Sequence, residues 1–450
     1  MIGQISQSEA PVAIRSDVTA HFEVSDQSDI QTLRAAYQAL PTHEELAGLV
    51  ADGKAAEARG YFDPVEDERL RAAYARYLAI RVALWDIIKS HQPAARRVKR
   101  SPQSANASDL HDFAVSFCAA EIIVRTGEYL IDLARDRGII WRKLDEAESR
   151  YGIPRKRFTR IYRQLTSAFR MHGFYRACEI FDVNKSAILE AAPDDISIIL
   201  KTLNLPTASR GDHLRRYRSF VRHSLKRRQL SAWKKTLFSI FEMTGSDIAE
   251  LKIPFVKPPH APKRVTPDII EILKNQLQPG DVFVTRHDDA MSNLFLPGFW
   301  PHSALWLGAE DADILEAKKD GVLLRTIEDT LQVDAFIVLR PKLTSPQIKE
   351  ALSRAREHMG KLYDFVFDFR TSDRLVCTEV IYRSYHGIGD IEFNLIMQAG
   401  RHCLSAEELI NQGLEKQWFE LVAIYGVGGN ELLNGDEAIA RLRDSFVSRF

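Results

Sequence analysis

Cysteine is scarce in this chain, with four residues among 450: Cys118, Cys178, Cys377 and Cys403. Four scattered cysteines cannot form a disulfide framework, and no two have the CxxC spacing of a zinc site. The sequence therefore predicts a protein of a reducing compartment, with neither metal nor cofactor. We expect Cys118 and Cys178 to be buried, inert thiols because each lies among apolar residues at helical spacing.

An excess of charge of one sign is also missing. Lys and Arg number 61 and Asp and Glu number 61, which gives no reason to expect a nucleic-acid partner. No apolar run is long enough to span a membrane without charged residues inside it. Residues 1–18 resemble neither a secretory signal nor a transit peptide. We therefore expect a cytoplasmic protein, at most peripheral at a membrane.

Proline is concentrated at residues 254–267, where five prolines oppose regular structure and predict a linker. Upstream, apolar residues recur at helical spacing over 63–90, 108–137, 155–180 and 212–242, and residues 94–108 have the composition of a loop. The sequence thus predicts an all-helical domain of unknown role at residues 1–253. Two of its helical stretches carry basic residues that could bind an anionic membrane surface. These are Arg155, Lys156 and Arg157 in the first basic stretch, and Arg215, Arg216, Lys226 and Arg227 in the second. The alternative for both is a solvated charged face over a protein core.

Downstream of the linker, short β-rich runs alternate with turn residues such as Lys319-Asp320-Gly321, which predicts an antiparallel meander. Helices are predicted at about 345–360 and 374–385, and a capping-box sequence at 405–408 opens a third before a strand at 419–426. The predicted class is α+β, with a sheet domain at residues 268–428 and a helical tail at 429–450.

Cys377 differs from the other cysteines because the loop-like TSDR precedes it and a helical pattern begins at Val376. It therefore falls in the first turn of a helix, where backbone amides favour a thiolate. His386 lies about 13 Å further along the same helix and is too far to act as its base. His302 opens a strand in which residues 302, 304 and 306 share a face. A structural role remains the alternative for both Cys377 and His302.

Glu316 is the candidate for orienting the imidazole of His302. A hairpin centred near Ala309 places residue 302 opposite residue 316, and a shift of the centre by one residue makes them diagonal neighbours on one face. A half-step change of register would instead send Glu316 to the other face. Glu316 could equally be a solvated strand carboxylate.

The chain carries five short motifs in this order: Gly280-Asp281, Pro301-His302-Ser303, Glu316-Ala317, Tyr363-Asp364 and Cys377-Thr378-Glu379-Val380. Together they resemble the YiiX-like permuted papain-fold amidases, a circularly permuted branch of the NlpC-type cysteine hydrolases, and the resemblance covers about residues 278–426. It implies a papain-like fold with Cys377 as nucleophile, His302 as base, Glu316 as orienting residue and Tyr363 as a donor to the oxyanion. The stretch at residues 295–301 departs from the family's pattern.

The implied reaction is cleavage of an amide or ester bond through a thioester, by hydrolysis or acyl transfer, on an acylated or lipid-like small substrate or a peptide amide. Two other functions stay open. One is a catalytically inactive papain-like domain in a scaffold or membrane-surface protein. The other is a cell-envelope peptidase, which the lack of a recognisable export signal disfavours. The resemblance does not extend to the helical half.

Overall fold

A computed structural model of the protein describes residues 27–134, 137–203, 263–288, 299–308, 314–364, 369–398 and 401–447. The chain divides into two compact units, of which unit 1 comprises residues 1–51, 69–141 and 158–223, and unit 2 comprises residues 52–68, 142–157 and 224–450. Two upstream segments, 52–68 and 142–157, thus belong to the unit that contains the sheet. Most of the predicted linker at 254–267 lies outside the described residues, and the predicted domain limits stay predictions.

The N-terminal region is helical, as predicted. Its helices are α1 over 27–38, α2 His43–Arg59, α3 Pro64–Ser90, α4 Gln92–Arg100, α5 Ala107–Ala134, α6 Gly138–Leu144, α7 Arg157–Leu165, α8 Ala168–Val183, α9 Lys185–Ala191 and α10 Asp194–Leu203. The helix predicted at 212–242 lies outside the described residues. Among the helices of the described ranges, none combines the length and the apolar character that crossing a membrane requires.

The loop predicted at residues 94–108 is wrong for residues 94–100, which belong to α4. This helix buries Ala94, Ala95 and Val98 on one side, and its basic residues occupy the other. The charged composition that suggested a loop is therefore the solvent face of an amphipathic helix. The cap of α5 is Asn106, whose Oδ1 accepts from the amide of Asp109 at 2.8 Å.

The first basic stretch forms α7, whose apolar stripe of Phe158, Ile161 and Leu165 is buried within the protein. The exposed Arg155 forms an ion pair of 3.4 Å with Asp373. A stripe already buried in a core is not available for insertion into a lipid surface, so any membrane contact here would be electrostatic. The basic residues of the second stretch, Arg215, Arg216, Lys226 and Arg227, lie outside the described residues.

Unit 2 is built on a six-stranded antiparallel sheet with the strand order β10-β5-β1-β2-β3-β4. Its strands are β1 Val282–Arg286, β2 His302–Trp306, β3 Ile314–Lys318, β4 Gly321–Arg325, β5 Ala335–Pro341 and β10 Phe419–Tyr425. Strands β1 to β4 form the predicted meander, whereas β5 pairs with the opposite side of β1. Two small sheets consist of β6 Leu362–Tyr363 with β7 Arg374–Leu375, and β8 Ile396–Gln398 with β9 Arg401–Cys403.

Helices cover both faces of the large sheet. They are α11 Pro267–Lys274, α12 Ile327–Thr330, α13 Ser345–Arg356, α14 Cys377–Tyr385, α15 Ala406–Glu415 and α16 Gly435–Val447. Alternate residues of the strands enter two cores: Leu305 and Leu315 pack with α13 to α16, and Ala304 and Ile314 pack with α11 and α12. This period-two division places α14 against β2 and confirms the predicted α+β class.

Candidate active site

Cys377 is the first residue of α14, which confirms its predicted position in the first turn. Val376 precedes it in an extended conformation, and Val380 and Ile381 lie in the core beside the sheet. Only 3% of Cys377 is exposed. The first amides of a helix have no acceptor within it, so the start of α14 offers N–H donors to a negative sulfur.

His302 and Glu316 meet across the hairpin of β2 and β3, where Nε2 of His302 lies 2.7 Å from Oε1 of Glu316. The register pairs Leu305 with Leu315 and Trp306 with Ile314. Continued to the strand ends, this register sets His302 opposite residue 318 and makes Glu316 its diagonal neighbour on the same face. Of the alternatives left by the sequence, the hairpin therefore adopts the one shifted by one residue.

The thiol of Cys377 lies in a setting that favours its ionised form. Burial raises the pKa of Cys377, but the charge of His302 and a hydrogen bond with its side chain lower it. The backbone amides of Ser303 and Thr378 also donate to the sulfur, and the net result is a pKa below the ordinary value. Strand β2 thus supplies both the imidazole and a backbone donor to the nucleophile at the start of α14.

The imidazole of His302 is held in its charged form. Burial lowers the pKa of His302. The negative charges of Cys377 and Glu316, and the hydrogen bonds that both side chains form with the imidazole, outweigh burial and raise this pKa to about 10. Since Nε2 faces Glu316, Nδ1 is the ring nitrogen left for the sulfur. Both pKa shifts favour the ion pair of a thiolate on Cys377 and an imidazolium on His302.

Glu316 is almost completely buried and has four polar neighbours. Besides His302, its carboxylate lies 2.9 Å from Nζ of Lys318, 3.1 Å from Nε of Arg325 and 3.3 Å from the hydroxyl of Thr330. Burial raises the pKa of Glu316, but His302 and Lys318 lower it to about 2. Sequence reasoning missed these neighbours, although Lys318 shares a strand face with Glu316.

Tyr363 lies in β6 and pairs with Leu375, two residues before Cys377. Burial, together with the negative charges of Cys377 and Asp364, raises the pKa of Tyr363 well above its ordinary value. The structure thus brings Tyr363 within electrostatic range of the sulfur and keeps its hydroxyl protonated. A protonated phenol can donate to a developing oxyanion.

Two other histidines and two other cysteines lack these properties. Burial and the positive charge of Lys263 lower the pKa of His287 to about 4, and burial lowers that of His358 well below its usual range. Cys118 and Cys178 are buried as expected, and burial raises the pKa of each to about 12. Within the described ranges, no three or more His, Cys, Asp or Glu side chains are grouped so that they could hold a metal ion.

Residues 276–408 match the model of a protein family described as "Permuted papain-like amidase enzyme, YaeF/YiiX, C92 family". The matched segment includes Cys377, His302, Glu316 and Tyr363, and it agrees with the family that the sequence motifs resemble. Because the match covers less than half of the chain, it characterises the C-terminal region. No curated protein and no solved structure matches the chain.

Proposed function

We propose that unit 2 is a cysteine hydrolase that cleaves an amide or ester bond, with Cys377 as nucleophile, His302 as general acid and base, and Glu316 as the residue that orients the imidazole. The observation that carries the proposal is the continuous interaction from the sulfur to His302 and on to Glu316. The match to a family of permuted papain-like amidases supports the same reaction class.

The reaction begins with attack of the Cys377 thiolate on the acyl carbonyl carbon, which forms a carbon–sulfur bond and a tetrahedral oxyanion. Collapse of this intermediate expels the amine or alcohol, and the imidazolium of His302 gives it a proton. A thioester on Cys377 remains. Neutral His302 then removes a proton from water, the hydroxide adds to the thioester, and collapse releases the carboxylic acid and the thiolate. An acceptor amine or alcohol in place of water would give acyl transfer.

Two groups are suited to stabilise the oxyanion. The backbone N–H of Cys377 lies at the start of α14, where the helix supplies no acceptor for it. The hydroxyl of Tyr363 stays protonated for the reasons given above. Donors fixed in a water-poor site lower the barrier because they need no reorganisation as charge develops.

The experiment compares the wild-type chain with Cys377→Ala and His302→Ala on 4-nitrophenyl esters of graded chain length. We expect each change to lower kcat/KM by about 10³-fold or more, since the two side chains act as a unit. Alkylation by iodoacetamide, followed by mass spectrometry of the peptides, should label Cys377 fastest among the four cysteines near neutral pH. His302→Ala should slow that labelling at pH 7 and leave it nearly unchanged at high pH.

The matched control is Cys403→Ser, because Cys403 is partly exposed and belongs to β9, outside the interacting group. This change should leave both ester cleavage and the labelling of Cys377 as in the wild type. If Cys377 reacts no faster than Cys403 and is indifferent to the loss of His302, the proposed dyad does not exist. A scaffold or membrane-surface role would then be favoured, because neither needs a stabilised thiolate.

A further inference from the structure

Two segments from far upstream complete the unit that contains the candidate active site. Residues 52–68 and 142–157 group with the sheet, although the family match begins at residue 276. The buried charged residues of these segments include Asp67, Lys143, Glu146 and Glu148. A buried ion needs close partners, because its removal from water costs several kcal/mol. The partners of these four residues therefore indicate what the segments do.

Arg383 is the first of these partners, and it lies in α14, six residues after Cys377. Its Nε donates to Glu379 at 2.8 Å, its Nη1 to Asp67 at 2.9 Å and its Nη2 to the carbonyl oxygen of Thr371 at 3.1 Å. One buried guanidinium thus joins the nucleophile's helix to the upstream segment and to the loop before the nucleophile. The planar fork of Arg fixes the directions of all three bonds.

Ser372 is the second partner and belongs to that same loop. Its hydroxyl donates to Asp67 at 2.6 Å, and its amide donates to Glu146 at 3.2 Å. Nζ of Lys143 donates to the hydroxyl of Ser372 at 3.2 Å and to the carbonyl oxygen of Arg370 at 3.3 Å. The loop that leads into Cys377 is thereby held from both upstream segments.

Further contacts hold the end of α14 and the approach to Tyr363. Nε2 of His386, which caps α14, lies 2.8 Å from Asp63. Nζ of Lys361, two residues before Tyr363, lies 3.7 Å from Glu148. The upstream segments therefore contact the chain on both sides of Cys377 and beside the candidate oxyanion donor.

We propose that Asp67 and Lys143 are positioning residues for Cys377, which fix the start of α14 and its preceding loop so that the sulfur meets His302. Neither residue touches the reacting atoms. Their effect is transmitted by Arg383 and Ser372, and it matters because a thiolate–imidazolium pair depends on placement within a fraction of an ångström. The inference rests on the proposed function, since it assumes that Cys377 and His302 form a reactive pair.

The test measures the alkylation rate of Cys377 against pH in the full chain, for the wild type, Asp67→Asn and Arg383→Lys. We expect both changes to raise the pKa of Cys377 by about half to one unit, so that labelling measured below the wild-type pKa is about three- to tenfold slower. The direction of the pKa shift in Asp67→Asn separates a positioning effect from a purely electrostatic one. Loss of the negative charge of Asp67 would, by electrostatics alone, favour the thiolate and lower this pKa. Arg383→Lys keeps the charge and removes only the fork.

Two further variants separate positioning from simple loss of stability. Ser372→Ala removes a hydroxyl without any change of charge, and we expect a smaller shift in the same direction. The matched control is Asp281→Asn, because Asp281 is also fully buried and pairs with Arg340 at 2.7 Å, at the far end of β1. It should lower the thermal midpoint and leave the pH profile of Cys377 unchanged.

The possible outcomes distinguish the two proposals. If the wild-type Cys377 has the pKa of an ordinary thiol, the proposed function and this inference both fail. If the wild-type pKa is low and Asp67→Asn, Arg383→Lys and Ser372→Ala leave it unchanged while folded, the inference alone fails. It also fails if Asp281→Asn shifts the profile as much as Asp67→Asn does.

Discussion

Glu316 shows how a single side chain can set the charge state of its neighbour. Its pKa of about 2 keeps it ionised over the whole range in which an enzyme of this class would work. Two cations and a hydroxyl hold the carboxylate, so it is fixed in position as well as charged. The imidazolium of His302 therefore has a permanent counter-ion, which contributes to its raised pKa of about 10.

The first prediction at this scale concerns Glu316→Gln and the alkaline limb of the activity profile. Without the carboxylate the imidazolium loses a counter-charge, so the pKa of His302 should fall from about 10 and activity should decline at a lower pH. We expect kcat/KM near pH 7 to fall by about 10²- to 10⁴-fold, as for other triads that lose their orienting carboxylate. The measurement is kcat/KM for 4-nitrophenyl esters between pH 5 and 11.

A matched control for this change is Glu328→Gln, because Glu328 pairs with Lys274 at the surface of the same unit. It should leave both the position of the limb and kcat/KM unaltered. An unchanged alkaline limb in Glu316→Gln, with activity close to that of the wild type, would show that Glu316 neither charges nor orients the imidazole.

At the scale of elements, the turn between β3 and β4 leads from the strand of Glu316 to a strand that pairs with the residues just before β6. Strand β6 carries Tyr363. Gly321 has φ of +112°, and a Cβ there would lie 2.7 Å from the carbonyl oxygen of Lys361. The amide of Val322 donates to that oxygen at 2.9 Å, and the amide of Gly360 donates back to Val322 at 2.8 Å. Glycine thus allows residues 360–361 to pair with β4.

We predict that Gly321→Ala destabilises the protein by about 1–3 kcal/mol, because it combines an unfavourable φ with a backbone clash. The midpoint of urea unfolding measures this loss. The control is Gly48→Ala, since Gly48 lies inside α2 and a Cβ there would meet nothing within 4 Å. That change should be neutral or stabilise the protein by up to about 1 kcal/mol. Equal effects of the two changes would contradict the role given to Gly321.

Element types and most of their limits follow from sequence periodicity, and the failures have a physical cause. The strands at 282–286, 302–306, 314–318, 321–325 and 335–341 lie within the short β-rich runs of the sequence, and a helix follows the predicted capping box at Ser405. The predicted helix over 155–180 is two helices, α7 and α8. Helical periodicity cannot show where a helix is interrupted if the same apolar face continues on the next one. The charged composition of residues 94–100 also led to the prediction of a loop where α4 lies, as described above.

At the scale of the whole molecule, the sheet unit is assembled from three separate parts of the chain. Its buried charges come in sets whose members are up to 316 residues apart, as for Arg383 and Asp67. Removal of one member leaves its partners with fewer counter-charges in the interior, where the loss of a close partner destabilises the fold. The stability of the sheet unit should therefore depend on the upstream segments.

We predict that a chain starting at residue 263 has a lower thermal midpoint than the full chain and a slower alkylation of Cys377 at pH 6. The reason is that Arg383 and Ser372 lose Asp67, Lys143 and Glu146. Calorimetry and the labelling assay measure the two effects. A fragment as stable and as reactive as the full chain would instead support the predicted domain at residues 268–428 as self-sufficient.

The sequence alone determined those features of the site that depend on nearby residues. Cys377 had to fall in the first turn of its helix because a helical pattern begins beside it, and a short hairpin could place Glu316 on the same strand face as His302 because side chains alternate with a period of two. The candidate residues Cys377, His302, Glu316 and Tyr363 could thus be named from local pattern and family resemblance.

The tertiary structure decided everything that depends on residues distant in the chain. The sequence left the register of the hairpin open by one residue, and the pairing of Leu305 with Leu315 in the structure settles it. No pattern in the sequence predicts the contacts of Asp67 with Arg383 and Ser372. Periodicity reports which face of an element is buried, whereas a buried ion pair between separate segments depends on how the whole chain folds.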